Sequence, residues 1–262
     1  MLAPRRKYFH NAIIQAMPDW IVLLVAEPTF VVAYAVFGMV GFGTTLVAAP
    51  ILAHLLPVST LVPAQALLDL VAASSTGLKL GPYVEKNEVK RLLPPMICGS
   101  ALGAYILFAV PLKTLMLLLG VFVTLYALNS LRFTPPRPPV SSRWAWWYGF
   151  AGGVLSALFG AGGWVYSIYL VRRLDDPKAI RGTQVAVLTA SSFIRVALFA
   201  VAGRYFDLDL LVLVLFLLPA MVLGLTIGNR ITLQMDRNRF MQVLYSVLLV
   251  TGASLVVRAL SP

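Results

Sequence analysis

Gly38-Met39-Val40-Gly41-Phe42-Gly43-Thr44-Thr45 and Ala157-Leu158-Phe159-Gly160-Ala161-Gly162-Gly163-Trp164 decide how this chain is read. Each is a glycine interruption inside an apolar stretch, and the two stand at one constant offset. Gly41 falls on Gly160 and Gly43 on Gly162, 119 residues apart, and the same offset carries Gln65 onto Gln184 without a gap. Glycine-broken apolar segments in corresponding places of two halves point to the binding site of a secondary transporter.

Composition agrees with that setting. The chain is 60% hydrophobic and 12% charged, with a mean hydropathy of +0.86, too apolar for a soluble globular domain. Apolar stretches of about 17–25 residues recur along it, the length that crosses a hydrocarbon core of about 30 Å. The net charge of +11 does not indicate nucleic acid, because the basic residues sit in short loops between apolar runs, as the positive-inside rule expects. Cys98 is the single cysteine, and His10 and His54 are the two histidines. That excludes a disulfide framework and leaves no ligand spacing for a metal, so no cofactor is expected. The N-terminus carries Arg5, Arg6 and Lys7 ahead of an apolar Ala12–Ala26 stretch interrupted by Pro18 and Asp19. With no clear small-residue cleavage site it reads as a retained segment.

Uninterrupted apolar runs predict helices near 60–79, 92–109 and 113–131, then 178–202, 209–228 and 236–259. Thr134-Pro135-Pro136-Arg137-Pro138-Pro139-Val140-Ser141-Ser142 separates the two sets and cannot continue a helix. Trp144, Trp146, Trp147 and Tyr148 follow it as an interfacial aromatic belt. The expected organisation is a basic N-terminal segment with an extra span (1–27), repeat 1 (28–133), a proline-rich linker (134–143) and repeat 2 (144–262). Each repeat holds one broken segment, about 28–56 and 145–171, followed by three ordinary spans. Gly99 and Gly103 match Gly224 and Gly228 at an offset of 125, and Pro94 matches Pro219. Small residues four apart let helices approach closely in lipid, so these glycines are expected to be packing sites.

Loop charge favours re-entrant hairpins with residues 10–26 crossing separately. Arg5, Arg6, Lys7, Lys79, Lys86, Lys90, Arg91, Arg132, Arg137, Arg143, Arg172, Arg173, Lys178, Arg181, Arg230, Arg237 and Arg239 then share the cytoplasmic side. Lys113, Arg204 and Arg258 fall outside. The fold class is therefore an all-α polytopic membrane protein. Its two repeats, each a glycine-broken hairpin plus three transmembrane helices, are expected to be inverted with a cytoplasmic N-terminus; the alternative is a parallel eight-span arrangement in which each broken segment crosses once.

Irregular backbone at membrane depth is tolerated only where it is buried or lines a wet cavity. Helices restarting at Thr44 and Trp164 would present free N–H groups and roughly +0.5 charge, a ready anion site. The expected substrate-binding set is Gly41, Gly43, Thr44, Thr45, Gln65, Gly160, Gly162, Gly163, Trp164 and Gln184. Gln65 and Gln184 have amide donors that can meet an anion, or each other. Asp69 shares a helix face with Gln65, and Arg195 with Gln184. Intramembrane charges are by default functional, so these two are the coupling and charge candidates: Arg195 to attract the anion or pair with Asp69, Asp69 to carry a proton. A buried ion pair that only fixes packing is the plainer reading of both, and snorkelling is open to Arg195. Glu27, Tyr34, Tyr166 and Tyr169 are assigned to packing in preference to a cavity.

Gly38-x-x-Gly41-Phe42-Gly43 with Pro50, and Gly153-Val154-Leu155-Ser156-Ala157-Leu158-Phe159-Gly160-Ala161-Gly162-Gly163, resemble the two signature segments of the TauE/SafE family. The resemblance covers about residues 28–259. It implies a secondary carrier that moves small sulfur-containing anions, such as sulfite, sulfoacetate or related organic acids, across the bacterial inner membrane. Thr44 and Thr45 replace the extra glycines usual in the first copy, and Tyr169 stands where proline is frequent in the second.

The leading expectation is export of a small anion such as sulfite or a sulfonate by alternating access. The membrane potential or the proton motive force would drive it. One charge through 100 mV is worth about 2.3 kcal/mol, and no phosphate-cradling GxxxxGK[ST] loop occurs. The alternatives are a non-transporting membrane scaffold or assembly factor, and an uptake symporter of the same anions. An embedded enzyme would need a convergent nucleophile and base that the spans lack.

Overall fold

The structure, a computed structural model, describes residues 20–131, 139–231 and most of 249–260. Among these residues all regular structure is helical. The first half contributes α1 (Trp20–Val40), α2 (Thr44–Leu52), α3 (Val58–Leu80), α4 (Lys86–Ala109) and α5 (Leu112–Leu131). The second contributes α6 (Ala145–Phe159), α7 (Gly162–Val171), α8 (Pro177–Val201) and α9 (Leu208–Ile231). Among the described residues five helices, α1, α3, α4, α8 and α9, are long and apolar enough to cross a membrane. The expected span 236–259 lies largely outside the described residues.

Helix starts follow local chemistry. Asp176 caps α8, its carboxylate accepting from the N–H groups of Lys178 and Ala179, both at 3.1 Å, with Pro177 as the first helical residue. α4 begins at Lys86, well before the expected 92. Glu88 in its first turn suits the positive helix end. This carboxylate is also buried against Arg91 of the same helix and Arg173 from beyond α7, so residues read as loop charges join the helix.

The first broken segment departs most from expectation. Residues 20–26, expected in a separate crossing, are continuous with the rest of α1 through Val40; residues 10–19 lie outside the described residues. With 21 residues α1 is about 31 Å long, a full span in itself. The second segment matches its expected bounds, except that the helix restarts at Gly162, two residues before Trp164. α7 then folds back along α6: the α-carbon of Gly162 faces Ser156 and Gly152, the Tyr166 ring lies on Gly152, and the Tyr169 and Tyr148 rings are 5.5 Å apart.

The two halves grip each other through glycine. A Cβ on Gly99 would strike the carbonyl of Phe150, and one on Gly103 the carbonyl of Val154, so α4 and α6 run parallel in backbone contact. Likewise Gly224 meets the carbonyl of Val31, and Gly228 that of Ala35, which makes α1 and α9 parallel neighbours. Such approach replaces the hydrophobic drive that lipid cannot give. Between these pairs α3 and α8 run antiparallel: Asp69 meets Arg195, Gly77 meets Val185 and Thr189, and Leu80 meets Gly182. Each half thus lays its broken segment against a long helix of the other.

Candidate functional site

The two breaks close in the same way. Gly41 and Gly160 both adopt left-handed backbone, φ 87° and 63°. Each N–H donates back to the carbonyl four residues earlier, Phe37 and Ser156, at 2.7 Å in both. Only glycine takes that conformation at no steric cost, which is why the break is written in glycine. Gly43 follows at φ 104° and starts α2; no side chain caps α2 or α7.

Each break lies against the restart of the other segment. Gly160 touches the Thr45 hydroxyl, with Arg195 Nη1 alongside, and Gly163 lies under Phe42. The interlock brings most of the expected residues together. Gly162 and Gly163 serve close approach, the first within its own hairpin and the second against Phe42. Trp164 is half-buried, its ring 6.2 Å from Phe122, which stacks on Phe159 at 6.0 Å.

At the centre sits a buried ion pair. Arg195 Nη2 donates to Asp69 Oδ2 at 3.0 Å and to Ser192 Oγ at 3.1 Å. Oδ1 of Asp69 accepts from the Tyr34 hydroxyl at 3.0 Å and from Thr44 Oγ1 at 2.8 Å. Arg195 is only 2% exposed, so it does not snorkel. Beside it Ser156 and Ser191 share a hydrogen bond of 2.7 Å. α8 delivers this face because Gln184, Leu188, Ser191, Ser192 and Arg195 recur at helical spacing and are all buried.

Part of the polar inventory here is unspent. Thr45 Oγ1, Nε and Nη1 of Arg195, both amide atoms of Gln65, and Gln184 Oε1 are buried with no hydrogen-bond partner among the described residues. Gln184 Nε2 donates to the carbonyl of Gly163 at 2.7 Å, so its amide is committed to its own hairpin and not to Gln65. The corresponding bond from Gln65 to Thr44 is absent. Each buried polar group left unmade costs about 1–3 kcal/mol, a standing bias toward any ligand that completes it.

Sequence reasoning missed Tyr34, taken as packing. Its signal was a hydroxyl within the apolar stretch 30–37, which when buried needs a partner. It also missed Glu88, 5% exposed, which accepts from the Tyr169 hydroxyl at 2.6 Å, Arg91 Nη1 at 2.6 Å and Arg173 Nε at 3.1 Å. That cluster ties the first turn of α4 to the end of α7. The departures at Thr44, Thr45 and Tyr169 thereby acquire reasons: Thr44 and Tyr169 each donate to a buried carboxylate, and Thr45 meets the opposite break.

A family model described as "Sulfite exporter TauE/SafE" matches residues 28–255. A curated relative, "Probable inner membrane transporter protein TsaS" of Comamonas testosteroni, is 25% identical over 190 residues, 72% of this chain and 80% of that protein. No solved structure matches the chain.

Proposed function

Since the chain belongs to the TauE/SafE family of membrane transporters, we propose that it is a secondary carrier exporting a small anion, sulfite or a sulfonate, across the bacterial inner membrane. The observation that carries this reading is the cluster of unspent polar atoms at the interlocked breaks. Arg195 Nη1 and the Thr45 hydroxyl lie beside Gly160, Arg195 Nε is likewise unpartnered, and the start of α2 that carries Thr45 has no side-chain cap. Guanidinium and helix-start N–H groups donate only, and a hydroxyl adds a donor; their complement is an oxyanion.

Alternating access between two inverted repeats, 28–133 and 144–262, fits the packing. The corresponding helices α3 and α8 run antiparallel, which is the relation a two-fold axis in the membrane plane imposes. The N-terminus and the Lys/Arg-rich loops are cytoplasmic in this reading. Gln65 and Gln184 flank the seat, Asp69 and Arg195 provide its charge, and the Trp164–Phe122–Phe159 cluster borders it.

The test is counterflow of labelled sulfite and a sulfonate panel in proteoliposomes, for the native chain and Thr45→Val. Saturable, selective exchange, with a raised KM in the hydroxyl-free variant, is expected. No flux with any anion from folded protein would remove the carrier reading and leave the scaffold one.

A further inference from the structure

We propose that the anion crosses as a bare charge, with no accompanying proton, and that Asp69 is a positioning residue for Arg195 and not a proton carrier. The inference rests on the transport reading above and says what that site does with charge.

The geometry around Asp69 carries it. Its two oxygens accept three hydrogen bonds from three other helices: Tyr34 of α1, Thr44 of α2 and Arg195 of α8. Arg195 can only donate and is cationic, while the two hydroxyls can donate or accept. A proton on Oδ2 would set a donor against the Arg195 donor and leave the buried guanidinium without its counter-charge. Among the described residues no second carboxylate bonds to it. Gln65 lies one turn earlier on α3, Ser192 is bonded to Arg195, and the α9 side is apolar, with Leu213 and Leu217 buried. Near the start of α3, Tyr205 donates to the Pro63 carbonyl and Arg204 to that of Ser59. Glu88, the other buried carboxylate among the described residues, is turned to Arg91, Arg173 and Tyr169.

The ion pair therefore enters the cycle neutral. Both Nη2 hydrogens of Arg195 are taken, one by Asp69 and one by Ser192, which fixes the guanidinium plane. Nε and Nη1 stay directed elsewhere, Nη1 toward Gly160 and Thr45. An anion that binds there adds its own charge without breaking a bond of the ion pair. The loaded site is negative by the charge of the substrate, and an inside-negative potential drives it outward without a proton gradient.

The measurement uses the full chain in proteoliposomes with a potassium-diffusion potential. Methanesulfonate and isethionate are the probes, since their sulfonates stay ionised throughout the working pH range. Flux is expected to follow the potential, to reverse where a single charge balances the anion gradient, and to vanish at zero potential under a pH gradient alone. Asp69→Asn should raise KM tenfold or more with the reversal potential unmoved. Uphill flux driven by the pH gradient, or a reversal potential that shifts in Asp69→Asn, overturns the proposal. If the asparagine variant does not fold, the native measurements decide alone. If neither sulfonate moves, the proposal falls; sulfite counterflow in the same vesicles then tells whether the carrier reading falls with it.

Discussion

Gly41→Ala and Gly160→Ala form a matched pair that separates backbone strain from damage to the anion seat. Both glycines have left-handed backbone, and an L-residue there costs about 1–2 kcal/mol. The surroundings differ. A Cβ on Gly41 meets nothing within 4 Å, whereas one on Gly160 collides with Thr45 Oγ1, comes within 2.8 Å of Thr45 Cβ and within 3.1 Å of Arg195 Nη1. Overpacking of that kind adds about 1–3 kcal/mol, and it falls on the two side chains assigned to the anion. Gly41→Ala should lower stability by about 1–2 kcal/mol and leave the KM for anion close to native. Gly160→Ala should lose about 2–5 kcal/mol in all, with KM raised roughly tenfold to a hundredfold, the equivalent of about 1.4–2.8 kcal/mol at the seat. Thermal unfolding in detergent and counterflow in proteoliposomes read the two quantities separately. Equal loss of transport in both variants would refute the reasoning, because strain alone would then explain it; native transport in Gly160→Ala would refute the seat.

Arg195→Gln leaves Asp69 buried without its cation and should cost about 3–5 kcal/mol; adding Asp69→Asn should restore thermal stability but not flux. Gln65→Leu removes two unpartnered amide atoms, so unfolding should show no loss of stability while transport falls. Gln184→Leu forfeits the bond to Gly163 and should destabilise by about 1–3 kcal/mol, a contrast visible in the same melts. Gly103→Leu should yield no folded protein by size-exclusion chromatography, since even a Cβ there meets the backbone of Val154.

The spans that fall within the described residues and both breaks were legible because apolar run length and duplicated glycine are strong local signals. The start of α4 was not. At Lys86 the helix is stabilised by Glu88 reaching Arg173 and Tyr169, residues far along the chain. The site was half legible. Gly41, Gly160, Asp69 and Arg195 stood out by conformation or charge, and the Asp69–Arg195 pair was one of the alternatives weighed. Tyr34 on Asp69 and Thr45 on Gly160 depend on which hairpin faces which, information that only the packed chain contains. Gln65 and Gln184 match in sequence yet differ in bonding, because the repeat preserves a residue and not its neighbours.

The glycine contacts that bind α4 to α6 and α9 to α1 bear on inheritance. A chain ending before the linker would carry Gly99 and Gly103 with nothing to receive them, and an α1 with no α9 to run beside. Under the inversion proposed above, its complement would be a second copy of itself lying the other way across the membrane. A half-length ancestor of that kind would have been a homodimer of opposed subunits with both faces of the site alike. In the present chain Asp69 has Leu188 as its counterpart, and Arg195 has Thr76. The ion pair at the centre is thus a place where the two halves, matched at their breaks, carry different chemistry.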